Sequence, residues 1–271
     1  MSIVVNSAQP RLFPAVESVT VYEQPLSERM RTFLRLEYLF QSIRDGMERG
    51  NPTDARNAIV NMIDVADQLA RTDIKGELIK EIERYTSTIS GLRHNPAVNQ
   101  STLEHTLLRL EPILAILKSN ACQPGLRLRQ NEIVAQVRQR LAIPGGTCSF
   151  DLPAFHYWLH RPLTQRDAQL QDWMQDLRII EDAVHTVLKL VRESAPSRRL
   201  AADNGFYQQQ LDPATACQIV RVVVADADDL YPEISGGKHR FTIRFVRHAD
   251  VNARAQVVQN TVWFELRCCS L

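Results

Sequence analysis

The sequence has almost no net charge, no long apolar run and few cysteines, and each shortage removes a class of function. Lys and Arg number 32 against 31 for Asp and Glu, a formal net charge of +1 over 271 residues. That balance supplies no overall field to attract nucleic acid or anionic lipid, so an electrostatic partner has to be met by a local patch. No apolar stretch is long enough to span a bilayer, while 44% hydrophobic and 23% charged residues suit a soluble globular chain. Membrane insertion is therefore not expected. Residues 1–17, MSIVVNSAQPRLFPAVE, lack the basic start and continuous apolar core of a secretory signal and are read as a flexible tail on a cytoplasmic protein. The five cysteines, Cys122, Cys148, Cys217, Cys268 and Cys269, are odd in number and never spaced C-x-x-C. This argues against a disulfide framework or a cysteine-ligated zinc site and for reduced thiols.

Catalytic signatures are equally scarce. "SGGKHR", Ser235 to Arg240, has the look of a phosphate loop, but Pro232 stands where the first glycine belongs and His239 where Ser or Thr should follow the lysine. "IPGGTCS" is no G-x-S-x-G elbow and follows a helical pattern, not a strand. His156 and His160 have the four-residue spacing that can share a metal, yet no intervening zincin glutamate and no third ligand accompany them. The vicinal Cys268 and Cys269 have no evident base nearby and read as a peripheral, inert pair. With no Ser, His and Asp cluster to assemble, the expectation is a protein that is not an enzyme and uses no cofactor and no metal.

What is present is a change of code along the chain. "SVTVYEQPL" holds one short alternating stretch around Val19 and Val21, a strand within 18–25. From Ser27 the period becomes helical: Phe33, Leu36, Phe40, Ile43 and Met47 fall on one stripe, and Asn51 before Pro52 caps a second helix carrying Ile59, Met62, Ile63, Ala66 and Leu69. Asp73 caps a third with Leu78, Ile82, Tyr85 and Ile89, which Gly91 should follow. Ser101 and Glu104 form a capping box for a fourth, in which Pro112 predicts a kink. A fifth carries Ile133, Val134, Val137 and Leu141, a short one opens at Pro153, and one or two more fill the chain to Ser194. Beyond "PSRRLAADNG" the period is two, in "ACQIVRVVVAD", "HRFTIRFVRH" and "NTVWFELRCC". The expected fold is α+β: a mainly helical domain over 26–196 and a small antiparallel β domain over 197–271, which the strand at 18–25 is placed to complete.

Within "HRFTIRF", alternation puts Phe241, Ile243 and Phe245 on one face and Arg240, Thr242 and Arg244 on the other, with Lys238 joining the second set. A solvated strand face is the bland alternative. Against it stands the double use of arginine about 13 Å apart along the strand. Arginine forks bind carboxylates bidentately and stack on apolar groups, so the row suits a short acidic and apolar peptide. Arg198, Arg199, Arg247 and His248 could enlarge the patch. Nucleic-acid phosphate over 238–248 is the competing ligand, disfavoured by the balanced charge and by the lack of a row of stacking aromatics.

Five segments, "PLSERMRTFLRLEYL", "VRQRLAIPGGTCSFDLPAFHYWLH", "QRDAQLQDW", "RESAPSRRLAADNGFYQ" and "LYPEISGGKHRFTIRF", followed by a terminal "FELRCC", resemble in order the ZapD family of bacterial cell-division proteins. The resemblance runs from about Val21 onward. It implies a cytoplasmic symmetric homodimer, not an enzyme, that binds the C-terminal peptide of the tubulin-like GTPase FtsZ and cross-links its protofilaments into bundles at the midcell Z-ring. Arg240 and Arg244 match the family's basic pair. Arg35, in "MRTFLRLEYL", and His156, in "LPAFHYWLH", match family positions concerned with filament bundling. A third basic family position falls on Glu132, which breaks a uniform basic surface or moves its contribution to Arg129 or Arg138. The apolar helical stripes can close on their own domain or on a second subunit.

Overall fold

A computed structural model describes residues 19–93, 95–96, 98–212, 217–225, 230–237, 239–248 and 252–270. The flexible tail expected over 1–17 and the site residue Lys238 lie outside them. The chain divides into two compact units: the chain up to Leu26 together with Ala195–Cys269, and Ser27–Ser194. The fold is α+β, with helices in the N-terminal part and antiparallel sheets in the C-terminal part that include an N-terminal strand.

Strand β1 (Val19–Pro25) precedes the helices α1 (Glu28–Arg49), α2 (Pro52–Arg71), α3 (Ile74–Gly91), α4 (Gln100–Lys118), α5 (Leu126–Gln130), α6 (Glu132–Arg140), α7 (Pro153–Leu159), α8 (Leu163–Gln175) and α9 (Arg178–Glu193). Their starts follow side-chain chemistry. Ser27 accepts from Met30 N–H, Asn51 from Asp54 N–H and Asp73 from Gly76 N–H, so orphan donors of each first turn are satisfied locally. Two boundaries differ from the sequence reading. The fourth helix is capped by Asn99, which accepts from Thr102 N–H, two residues before the expected capping box, and Gly91 is the last residue of α3. The fifth pattern is broken at Asn131, which ends α5 and caps α6.

α1 packs on α2 and α9, and α3 packs on α4. Met30, Phe33, Leu36, Phe40 and Ile43 are buried along α1, but the last buried position of the stripe is Gly46, not Met47. A Cβ at Gly46 would stand 2.9 Å from Asp54 O on α2, so glycine lets the two helices approach. Several ions of this unit are paired across elements. Both nitrogens of the Arg192 fork reach the two oxygens of Glu37 at 2.6 Å, and Arg29 lies 2.6 Å from Glu77 while also meeting Glu81. Glu81, 1% exposed, accepts a further bond from Arg84 at 2.7 Å.

The other unit holds β2 (Arg198–Ala202), β3 (Phe206–Gln210), β4 (Ile219–Ala225), β5 (Tyr231–Gly236), β6 (Arg240–Arg247), β7 (Gln256–Val257) and β8 (Val262–Cys269). One antiparallel sheet runs β1-β4-β8-β2, so β1 pairs with β4 from Val19 opposite Ala225 to Pro25 opposite Ile219. The second runs β3-β6-β5, with β7 continuing along β6. Their inner faces meet in one core: Val220, Val222, Val224, Phe264 and Leu266 from the first sheet, and Phe241, Ile243 and Phe245 from the second. Phe245 and Phe264 rings lie 5.1 Å apart, and Tyr207 meets Phe264 edge-on at 5.3 Å. β2, β3, β5 and β7 were not foreseen. β2 passes into β3 through Asn204 and Gly205, whose φ values of 52° and 67° with the Phe206 N–H to Asp203 O bond make a tight left-handed turn. A Cβ at Gly205 would lie 2.4 Å from Val258 O, so only glycine fits there.

Candidate functional site

β6 is the central strand of the second sheet, and its alternation decides what each side chain faces. Phe241, Ile243 and Phe245 are fully buried, while Arg240 and Arg244 are exposed and Thr242 is half-buried between them. The register then builds three rungs on the outer face. Arg240 lies opposite Gln210; Thr242 is flanked by Gln208 and Ser235; Arg244 is flanked by Phe206 and Glu233. Phe206 is 44% exposed, an aromatic ring left on a polar face beside an arginine. Neither Arg240 nor Arg244 has a side-chain hydrogen bond or an ion-pair partner among the described residues. Two full cations therefore stand on a rigid strand with their donors available to a carboxylate.

The sequence placed Arg240, Thr242 and Arg244 together, but not their neighbours from β3 and β5. Phe206, Gln208, Gln210, Glu233 and Ser235 become visible only through the register. The Asn-Gly pair before "FYQQQ" was the available signal, since such a pair often marks a tight hairpin turn.

The residues expected to enlarge the patch are dispersed. Arg198 donates to Gln209 Oε1 at 3.1 Å. Arg199 sits 5.5 Å over the Trp263 ring, opposite Glu265 on the first sheet, and with Arg247 it lines a separate cleft of about 590 Å³. His248 stacks on Tyr231, accepts from its hydroxyl through Nε2 at 2.9 Å and donates through Nδ1 to Ala253 O. Its ring is thus engaged at both nitrogens.

In the helical unit Arg35 is exposed on α1 and His156 is exposed on α7. The His160 ring donates through Nδ1 to His156 O at 2.8 Å, with the two imidazoles 4.3 Å apart. No group of three or more His, Cys, Asp or Glu placed to hold a metal occurs among the described residues. Glu132 opens α6 and is exposed. Of the two cations that could replace a basic residue there, Arg129 donates to Ala66 O at 3.1 Å and Arg138 pairs with Asp67 at 3.0 Å.

Cys268 and Cys269 do not act as one pair. Cys269 is buried, and burial pushes its thiol up to about 11. Cys268 is half-buried beside Gln209; a hydrogen bond from the Cys217 thiol, with help from Arg198, draws its pKa below the usual thiol range against the opposing effect of burial. The description of both as peripheral fails for Cys269. Consecutive residues on a strand face opposite sides, so two adjacent thiols meet different surroundings.

Comparison with known proteins places the chain among cell division proteins. Residues 34–244 match the model of a family described as ZapD, cell division protein. The chain is 39% identical over 254 residues to the cell division protein ZapD of Enterobacter sp. (strain 638), covering 94% of this chain and 100% of that protein. It is 37% identical over 251 residues to the cell division protein ZapD of Methylococcus capsulatus, covering 93% and 98%. No helix among the described residues is long and apolar enough to cross a membrane.

Proposed function

The chain belongs to the ZapD family of cell division proteins, and on that premise we propose that it is an adaptor that binds the C-terminal peptide of FtsZ and cross-links FtsZ protofilaments. The observation that carries this reading is the pair of exposed arginines on one outer sheet face, Arg240 and Arg244, with no partner among the described residues. An arginine that lacks an internal acid presents its whole fork to a partner's carboxylate. Thr242 supplies a hydroxyl between them, and Lys238, just before the strand, adds a further cation to the same ligand. The protein acts by holding its partner and needs no cofactor for that.

Bundling follows from valency. One peptide held by a few charge-assisted bonds is a modest interaction, but a homodimer presents two such faces to filaments that display many peptides. The second contact is then intramolecular, and avidity rises by roughly 10²–10⁴. Arg35 and His156, both exposed, serve the contact between filaments, and the protein works in the cytoplasm at midcell with the Z-ring.

The test is fluorescence anisotropy of a labelled FtsZ C-terminal peptide titrated with this protein and with the Arg240→Glu, Arg244→Glu double variant. Saturable binding to the native chain, lost in a variant that stays folded, is the expected result. Equal affinity in the two proteins would sink the assignment of this face. Binding should also weaken as salt rises, because exposed charges are screened over about 8–10 Å at physiological ionic strength.

A further inference from the structure

The edges of the second sheet are not alike. Phe245 N–H donates to Gly205 O at 2.7 Å and Leu211 N–H donates to His239 O at 2.8 Å. In an antiparallel ladder, residues of one parity exchange bonds with the neighbour and the alternate residues point away. With Tyr207 opposite Ile243 and Gln209 opposite Phe241, the odd residues of β3 direct their backbone groups to β6. Phe206, Gln208 and Gln210 therefore direct theirs to the open side. Asp203 O takes the Phe206 N–H within the turn, while the backbone N–H groups of Gln208 and Gln210 have no partner among the described residues.

The same test applies to the opposite edge. Gly237 N–H donates to Arg240 O, so in β5 the even residues face away from β6. Pro232 is one of them, and proline offers no donor to an incoming strand. Ile234 and Gly236 still direct theirs outward, so each edge keeps two donors without a partner among the described residues; what sets β3 apart is the face its outward residues share. The residues of β3 with unused backbone groups are also those whose side chains share the face of Arg240, Thr242 and Arg244.

We propose that β3 receives an acidic, extended peptide as an added strand, its backbone bonded to Gln208 and Gln210 and its carboxylates held by Arg240 and Arg244. This rests on the reading of the arginine face as the FtsZ peptide site and states how that site holds its ligand. An added strand would lie about 10 Å from β6, two strand spacings away, so the long arginine side chains arch over β3 to meet it. The two arginines are four residues apart, about 13 Å, which matches carboxylates at positions i and i+4 of an extended chain. Phe206, on the Arg244 rung, supplies an apolar contact to the peptide side chain beside that carboxylate. Main-chain bonds then provide affinity, and the rungs provide selectivity.

The experiment titrates the labelled FtsZ C-terminal peptide, and two analogues N-methylated at alternate residues of opposite parity, against the native protein, Gln208→Pro, Gln208→Ala and the double arginine variant. Proline removes only an outward N–H, which an edge strand tolerates. Strand addition expects one analogue to bind the native protein at least about tenfold more weakly than the other, and the Gln208→Pro protein to bind the unmodified peptide at least about tenfold more weakly than the Gln208→Ala protein, which lacks the same side chain but keeps the N–H. Should Gln208→Pro fail to fold, judged by circular dichroism, the two analogues on the native protein decide the matter. Equal affinity for both analogues, with binding still lost in the double arginine variant, overturns strand addition and leaves the arginine face as the receptor. No binding of the unmodified peptide by the native protein overturns both.

Discussion

The helical unit and the β unit treat their charges in opposite ways. In the first, many arginines are tied inward or sideways, Arg192 to Glu37, Arg44 to Glu181, Arg29 and Arg84 to the buried Glu81, although the exposed Arg35 makes no ion pair among the described residues. In the second, Arg221 pairs with Glu23 across the first sheet at 2.7 Å, but Arg240 and Arg244, on the outer face of the second, make no ion pair among the described residues. Paired arginines join elements that are distant in sequence. Arginines with no ion pair among the described residues keep their donors for something outside the chain, and on the proposed reading the peptide's carboxylates take those on the sheet.

The largest effect that could break this comparison lies beneath the face. Phe245→Ala should destabilise the β unit by about 3–5 kcal/mol in denaturant unfolding, because Phe245 is fully buried against Phe264. A loss below about 1 kcal/mol would mean that the inner face does not support the arginines as described. Next, Glu81→Ala should cost about 2–3 kcal/mol by leaving Arg29 and Arg84 short of a buried partner, whereas Arg240→Ala and Arg244→Ala should each change stability by no more than about 0.5 kcal/mol. Comparable losses at all three sites would recast the two strand arginines as structural.

A smaller contrast concerns the adjacent thiols. At pH 7 iodoacetamide should alkylate Cys268 faster than Cys269 in the folded protein, since the first pKa is drawn down and the second pushed up, and only the thiolate reacts. Peptide mass spectrometry reads the ratio, and equal rates would contradict the opposite surroundings of the two side chains. The smallest expected effect is Asn99→Ala, about 1 kcal/mol, for removal of the side-chain cap on α4. Ser101→Ala should be nearly neutral beside it, and the reverse order would restore the capping box as the helix start.

The two units were also unequally legible before the structure. Helix stripes are local, and two of the expected caps, Asn51 and Asp73, accept their bonds within three residues. The errors were of one or two residues, at Asn99 and Gly91, or a missed break at Asn131. In the β unit, β1, β4, β6 and β8 alternate over seven or eight residues and could be read. β2, β3, β5 and β7 could not, being two to six residues long and rich in arginine, glutamine, proline or glycine. A short polar strand is made by the neighbour it pairs with, not by its own propensity. For the same reason Arg240 and Arg244 were identified early, whereas Phe206, Gln208 and Glu233, which form their rungs, were not.

By itself the sequence determined the succession of helices and then strands, the apolar row of β6 and the cationic row opposite it, because periods of 3.6 and two are properties of a single segment. Only the tertiary structure decided that β1 joins the last strand's sheet, that Gly46 and not Met47 closes the α1 stripe, which arginines are neutralised, and which edge strand of the second sheet turns its outward residues to the arginine face. Those outcomes depend on the distance between residues far apart in the chain, and hydrogen-bond parity and ion pairing exist only once the register between strands and helices has been set.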